Sequence, residues 1–114
     1  MHLSVEEMPE GVTCIRLVGR LDTQGAQEIE TQLAGHLAVD KGRFILDLEQ
    51  VSFLASIGIR TFILSAQMLK RRGGKLALAR PIPEVAKILT HAGIDLLVPV
   101  CADMDTARAA VTAA

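Results

Sequence analysis

Tryptophan and tyrosine are absent from this 114-residue chain, and phenylalanine occurs three times. The aromatic platforms on which single-strand nucleic-acid binders and many sugar sites stack their ligands are therefore missing. An excess of one charge is missing too: 12 Lys and Arg stand against 13 Asp and Glu, a net charge of -1. Nucleic-acid binding needs a basic face that displaces counterions, so direct contact with nucleic acid is not expected. The single basic run, Lys70-Arg71-Arg72, falls at the expected end of a helix, where cations complement the macrodipole.

Cysteine is scarce. Cys14 and Cys101 lie far apart in apolar, strand-like runs, with no CxxC pair and no histidine at ligand spacing, which excludes a disulfide framework and a thiolate metal site. Both are expected to be buried free thiols. No charged-then-apolar leader opens the chain, and no apolar run approaches the ~20 residues that span a bilayer, so membrane insertion is not expected and a cytoplasmic location is. Catalytic patterns are equally lacking: Gly73-Gly74 precedes a strand instead of following one, and His2, His36 and His91 are dispersed without triad or metal-ligand spacing. The chain is expected to be neither an enzyme nor a cofactor carrier.

What is present is a core. Half of the residues are hydrophobic, enough for one domain spanning residues 1–114 without covalent staples. Residues 3–8 and 12–18 alternate as strands around Pro9-Glu10-Gly11, which suits a tight turn and gives an antiparallel N-terminal hairpin. Ala26, Ile29, Leu33 and Leu37 recur at helical spacing, with a stop expected near residues 40–42. A strand at 43–48 follows, then a helix from Ser56 to Gly73-Gly74, a strand at 75–79, and a helix opened by Pro83 and closed by Gly93. A last strand is expected at 96–100, with Pro99 at an edge or strand end, and a final helix over 103–113 with Asp103 as its N-cap. Alternation of this kind predicts an α/β fold: a mixed, mostly parallel sheet with about four helices.

The informative stretch is RFILDLEQVSFLASIGIR, residues 43–60. Phe44, Ile45, Leu46 and Leu48 form the nearly continuous apolar run of a strand covered on both faces, and a helical period begins at Ser56. One hydroxyl thus stands where strand turns into helix. Its ordinary work there would be to cap the helix, and its alternative work is that of a modifiable switch. Along the helix, Ile59, Phe62, Ile63, Ala66 and Leu69 share a core face, while Ile57, Thr61, Leu64 and Met68 line the opposite side, flanked by Arg60, Gln67 and Arg71. Either another element covers this second stripe, or it is a docking surface for a partner.

The segment VSFLASIGIR, with the helix and the GGKLAL strand that follow, resembles the signature of the STAS domain family, in particular its bacterial anti-sigma factor antagonists. In that family an Asp-Ser-Ser-Gly-Leu stretch follows a strand, and its first Ser is phosphorylated by the anti-sigma factor, which is also a kinase. Here the first Ser falls on Ser56, the second on Ile57, the glycine on Gly58 and the leucine on Ile59, while the leading Asp falls on Ala55. Gly19-Arg20-Leu21-Asp22 resembles the family's Gly-x-Leu-Asp, whose Asp lies beside the phosphorylated Ser; PIPEVAKILTHAGIDLLVPV resembles its third helix and last strand.

The resemblance implies a single STAS-like domain that binds an anti-sigma factor, a GHKL-type serine kinase, and so releases a sigma factor. It implies regulation by phosphorylation at Ser56 and a contact surface of Asp22, Ser56, Ile57, Gly58, Arg60, Thr61, Leu64 and Met68. Asp22 also suits a plain N-cap, and the two roles are compatible. An alternative from another class is the STAS subunit of a bacterial ABC-type, lipid-trafficking transport complex, where the same helix would make a permanent contact. A third is a scaffold unit of a sensory complex. No oligomeric state follows from the sequence.

Overall fold

A computed structural model describes residues 1–38 and 42–113. Its strands are β1 (His2–Met8), β2 (Val12–Leu21), β3 (Arg43–Leu54), β4 (Lys75–Ala79) and β5 (Val100–Cys101). Its α-helices are α1 (Thr23–Leu37), α2 (Ser56–Arg71), α3 (Pro83–His91) and α4 (Met104–Thr112). The sheet runs β1-β2-β3-β4-β5, with β1 antiparallel to β2 and the other pairs parallel. The predicted α/β class and hairpin are found.

Burial divides the molecule into layers. Phe44, Leu46 and Leu48 of β3 join Ile29 and Leu33 of α1, Phe62 and Leu69 of α2, and Val85 and Leu89 of α3 in one large core. The alternate residue Ile45 packs with Ala77, Ala79, Ala107 and Val111 in a smaller core under α4. Helices on both faces explain why the central strand reads as a nearly continuous apolar run. Asp47 interrupts that run, and its side chain is fully buried.

Several boundaries differ from expectation. β2 runs to Leu21 instead of residue 18 and β3 to Leu54 instead of 48, because the two strands stay paired through polar residues to their common end, across two register irregularities. The last strand is two residues long instead of five. Ile94–Leu96 form a 3-10 turn after Gly93, at φ 73, and Leu96 and Leu97 point outward at 87% and 61% exposure. Pro99 lacks the N–H a ladder requires, so pairing begins only at Val100. α1 ends at Leu37; of the stop expected near 40–42, Asp40 and Lys41 lie outside the described residues. α2 ends as expected: Gly73 N–H donates to the Lys70 carbonyl and Gly74 N–H to that of Leu69, a Schellman closure with Gly73 at φ 77.

Candidate functional site

β2 and β3 end side by side, Leu21 opposite Leu54, and the Ala55 N–H donates to the Leu21 carbonyl at 2.9 Å. Both strands then become helices at once, which places Asp22 and Ser56 together at the C-terminal edge of the sheet. Asp22 caps α1, its Oδ1 accepting from the Gly25 N–H at 2.8 Å. A Cβ on Gly25 would sit 2.0 Å from the Arg20 carbonyl oxygen, so this tight entry requires glycine. The Gly25 amide holds the Asp22 carboxyl below its usual range against a smaller effect of desolvation, and the Arg20 guanidinium, 3.6 Å away, adds to the lowering.

Ser56 is not the cap of α2. That position belongs to Ala55, whose side chain has nothing to donate or accept; Ser56 is the first helical residue, exposed, with no partner for its hydroxyl among the described residues. The capping role considered from sequence is therefore set aside. Gly58 requires a correction as well. It is buried, and a Cβ there would lie 2.7 Å from Leu21 Cγ and from Leu54 Cδ1, so it packs the first turn of α2 onto the strand ends and offers no surface to a partner.

The apolar stripe is only partly open. Ile57 and Leu64 are 37% and 50% exposed, while Thr61 and Met68 are half-buried, and the Thr61 hydroxyl donates to the Ile57 carbonyl at 3.0 Å. These side chains form one wall of a groove whose other wall is α1: Leu33 and Ala34 face Thr61, Leu64 and Met68. Toward Ser56 the groove continues between Thr23, Gln27 and Glu30 on one side and Ile57 and Arg60 on the other. The α1 wall was not legible in the sequence, because its exposed residues are polar or small and carry no apolar pattern. On α2 the buried line is Gly58, Phe62, Ser65 and Leu69, with Ile59, Ile63 and Ala66 only half-buried; Ser65 is satisfied internally by the Thr61 carbonyl at 2.8 Å.

Two further features went unread. The Arg20 guanidinium lies 4.3 Å above the centre of the Phe53 ring, its cross-strand partner, beside Asp22. Asp47 is held by Arg16 Nε at 3.2 Å, by Arg80 Nη2 at 2.5 Å and Nε at 3.2 Å, and by the Glu49 N–H at 3.2 Å. Burial by itself pushes the Asp47 carboxyl up, and these hydrogen bonds together outweigh burial and hold it below its usual range. Cys14 and Cys101 are buried free thiols pushed up by desolvation. Among the described residues no group of three His, Cys, Asp or Glu could hold a metal ion, and no helix is long and apolar enough to cross a membrane.

The order of strands and the two helix starts at one sheet edge, with the exposed Ser56 opening the second helix, define the class: a single α/β domain with a mixed five-stranded sheet. The STAS domain family model matches residues 5–107, and the chain belongs to that family. It is 30% identical over 112 residues to a putative anti-sigma factor antagonist, BtrV, of Bordetella bronchiseptica, covering 96% of this chain and 94% of that protein. It is 27% identical over 97 residues to the anti-sigma F factor antagonist of Lysinibacillus sphaericus, covering 82% and 81%. Among solved structures, an anti-sigma factor antagonist from Mycobacterium paratuberculosis superposes with a TM-score of 0.86 at 24% identity, over 96% of this chain and 92% of that one. Unphosphorylated SpoIIAA does so with 0.75 at 23%, over 95% and 94%, which supports the same fold.

Proposed function

We propose that this domain is an anti-sigma factor antagonist: it docks on an anti-sigma factor that is a GHKL-type serine kinase, displaces a sigma factor, and is switched off by phosphorylation at Ser56. The observation that carries this is the exposed Ser56 hydroxyl, without a partner among the described residues, next to Ile57, where the groove between α1 and α2 begins. The relatives' names point the same way. Asp22, Ile57, Arg60, Thr61, Leu64 and Met68 form the contact surface in this reading, with Gly58 beneath it.

The chemistry belongs to the partner. The Ser56 oxygen attacks the γ-phosphorus of a nucleoside triphosphate held by the kinase, the bond to the bridging oxygen breaks, the nucleoside diphosphate leaves, and the hydroxyl proton passes to a base of the kinase. The product adds roughly -1.5 to -2 charge at pH 7. Within the domain that charge stays solvated at a helix start, so the fold persists. In a desolvated contact beside Asp22 it is repelled, and each ~1.4 kcal/mol of penalty lowers affinity tenfold.

The test is capture by a purified anti-sigma factor kinase from the same organism. Ser56→Asp should weaken capture at least tenfold at an unchanged melting temperature, and unaltered capture overturns the proposal. Capture by a permease and ATPase pair instead would favour the transport-complex alternative.

A further inference from the structure

Arg60 stands four residues after Ser56 on α2, and both are exposed. Residues four apart on a helix are neighbours, with Cβ atoms about 6 Å apart. Helical side chains also lean toward the N-terminus, so a long side chain at Arg60 overlies the turn that begins at Ser56. Arg16, Arg20, Arg80 and Arg108 each hold a carboxylate, whereas Arg60 is in no ion pair among the described residues. Of the nearby acids, Asp22 is engaged by the Gly25 amide and Arg20, and Glu30 lines the same stretch of groove as Arg60.

Resting on the reading of Ser56 as the phosphate acceptor, we propose that Arg60 is the internal cation that a phosphate on Ser56 captures. Phosphorylation then acts twice: it adds negative charge at the groove mouth, and it withdraws the guanidinium from an acidic group of the partner. The chemistry suits the pair. A guanidinium fork matches phosphate oxygens with two parallel hydrogen bonds where an ammonium offers a point charge, and an anion preceding a cation by four residues is the favourable order on a helix. A carboxylate introduced by Ser56→Asp is shorter and singly charged, so it adds the negative charge at the groove end, which weakens capture by itself, but leaves Arg60 largely free.

The experiment uses the full chain with phosphoserine encoded at position 56 and follows its ³¹P resonance with pH, without any partner. The second ionisation of a free phosphoserine lies at about 6. With Arg60 present it should fall below that of the Arg60→Gln protein by about half a unit, with Arg60→Lys between them, since a neighbouring cation favours the dianion. The unmodified Arg60→Gln protein should melt with the wild type, because Arg60 is exposed and makes no ion pair among the described residues. Equal ionisation in the Arg60 and Arg60→Gln proteins overturns the capture, whatever a partner does. A parallel measurement of binding to the purified anti-sigma factor kinase separates the two layers. Equal affinity of the phosphorylated and unmodified domains overturns the docking reading and the second half of this inference, while the ionisation result stands by itself.

Discussion

Replacing Asp47 by Asn removes one negative charge from the most deeply buried polar group of the sheet while keeping its shape. The carboxylate is fully buried and receives hydrogen bonds from Arg16, Arg80 and the Glu49 amide. Breaking a buried ion pair by removing one partner costs about 3–5 kcal/mol. The lower end applies, because the Arg16 and Arg80 side chains keep 39% and 31% of their exposure and water takes up their freed donors. Arg80 also sits at φ 57, a left-handed conformation that costs a non-glycine residue about 1–2 kcal/mol and that the pair to Asp47 holds in place. A loss of about 3 kcal/mol lowers the melting temperature of a domain this size by about 12 °C. Calorimetry and urea unfolding at pH 7 measure it. The pH dependence follows from the direction of the shift: the folded carboxyl titrates below the unfolded value of about 3.9, so its stabilisation is complete above that pH and is lost as pH falls through the folded value. The Asn variant should therefore lose less stability than the wild type on acidification below about pH 4. A loss under about 1 kcal/mol at pH 7, or equal acid sensitivity of the two proteins, would refute the reasoning.

Ala55 caps α2 without a hydrogen-bonding side chain, so Ala55→Asp should stabilise the domain by about 1 kcal/mol, read as a rise of about 4 °C in the melt. Gly58→Val places carbon within 2.7 Å of Leu21 and Leu54, and urea unfolding should show a loss of about 2 kcal/mol or more through overpacking. Leu64→Ser removes an apolar contact that is half exposed, so stability should change by less than about 1 kcal/mol while capture by the anti-sigma factor kinase falls several-fold.

The element order was legible because it is written locally. Apolar period, proline at helix starts and glycine at helix ends mark β3, α2 and α3 without reference to anything distant, and the structure keeps the start of α2 at Ser56 and of α3 at Pro83. The misread stretch, residues 96–100, is apolar in sequence yet begins at the last residue of a 3-10 turn with two exposed leucines and enters the sheet only at Val100; what decides it is the absence of a donor at Pro99 and of a partner until Val100. Pattern alone cannot separate an apolar strand from an apolar loop of that length.

By itself the sequence determined the α/β class, the hairpin, and the placing of Ser56 at a strand-to-helix junction, since each depends on residues within a few positions of one another. The tertiary structure decided the rest. It made the Ile57, Thr61, Leu64 and Met68 stripe one wall of a groove by setting α1 against α2, buried Gly58 on Leu21 and Leu54, left α2 without a side-chain cap, and gathered Arg16 of β2 and Arg80, just past the end of β4, around Asp47. Those outcomes rest on neighbours brought together across the sheet, and the spacing of residues along one segment does not encode which segment will face it.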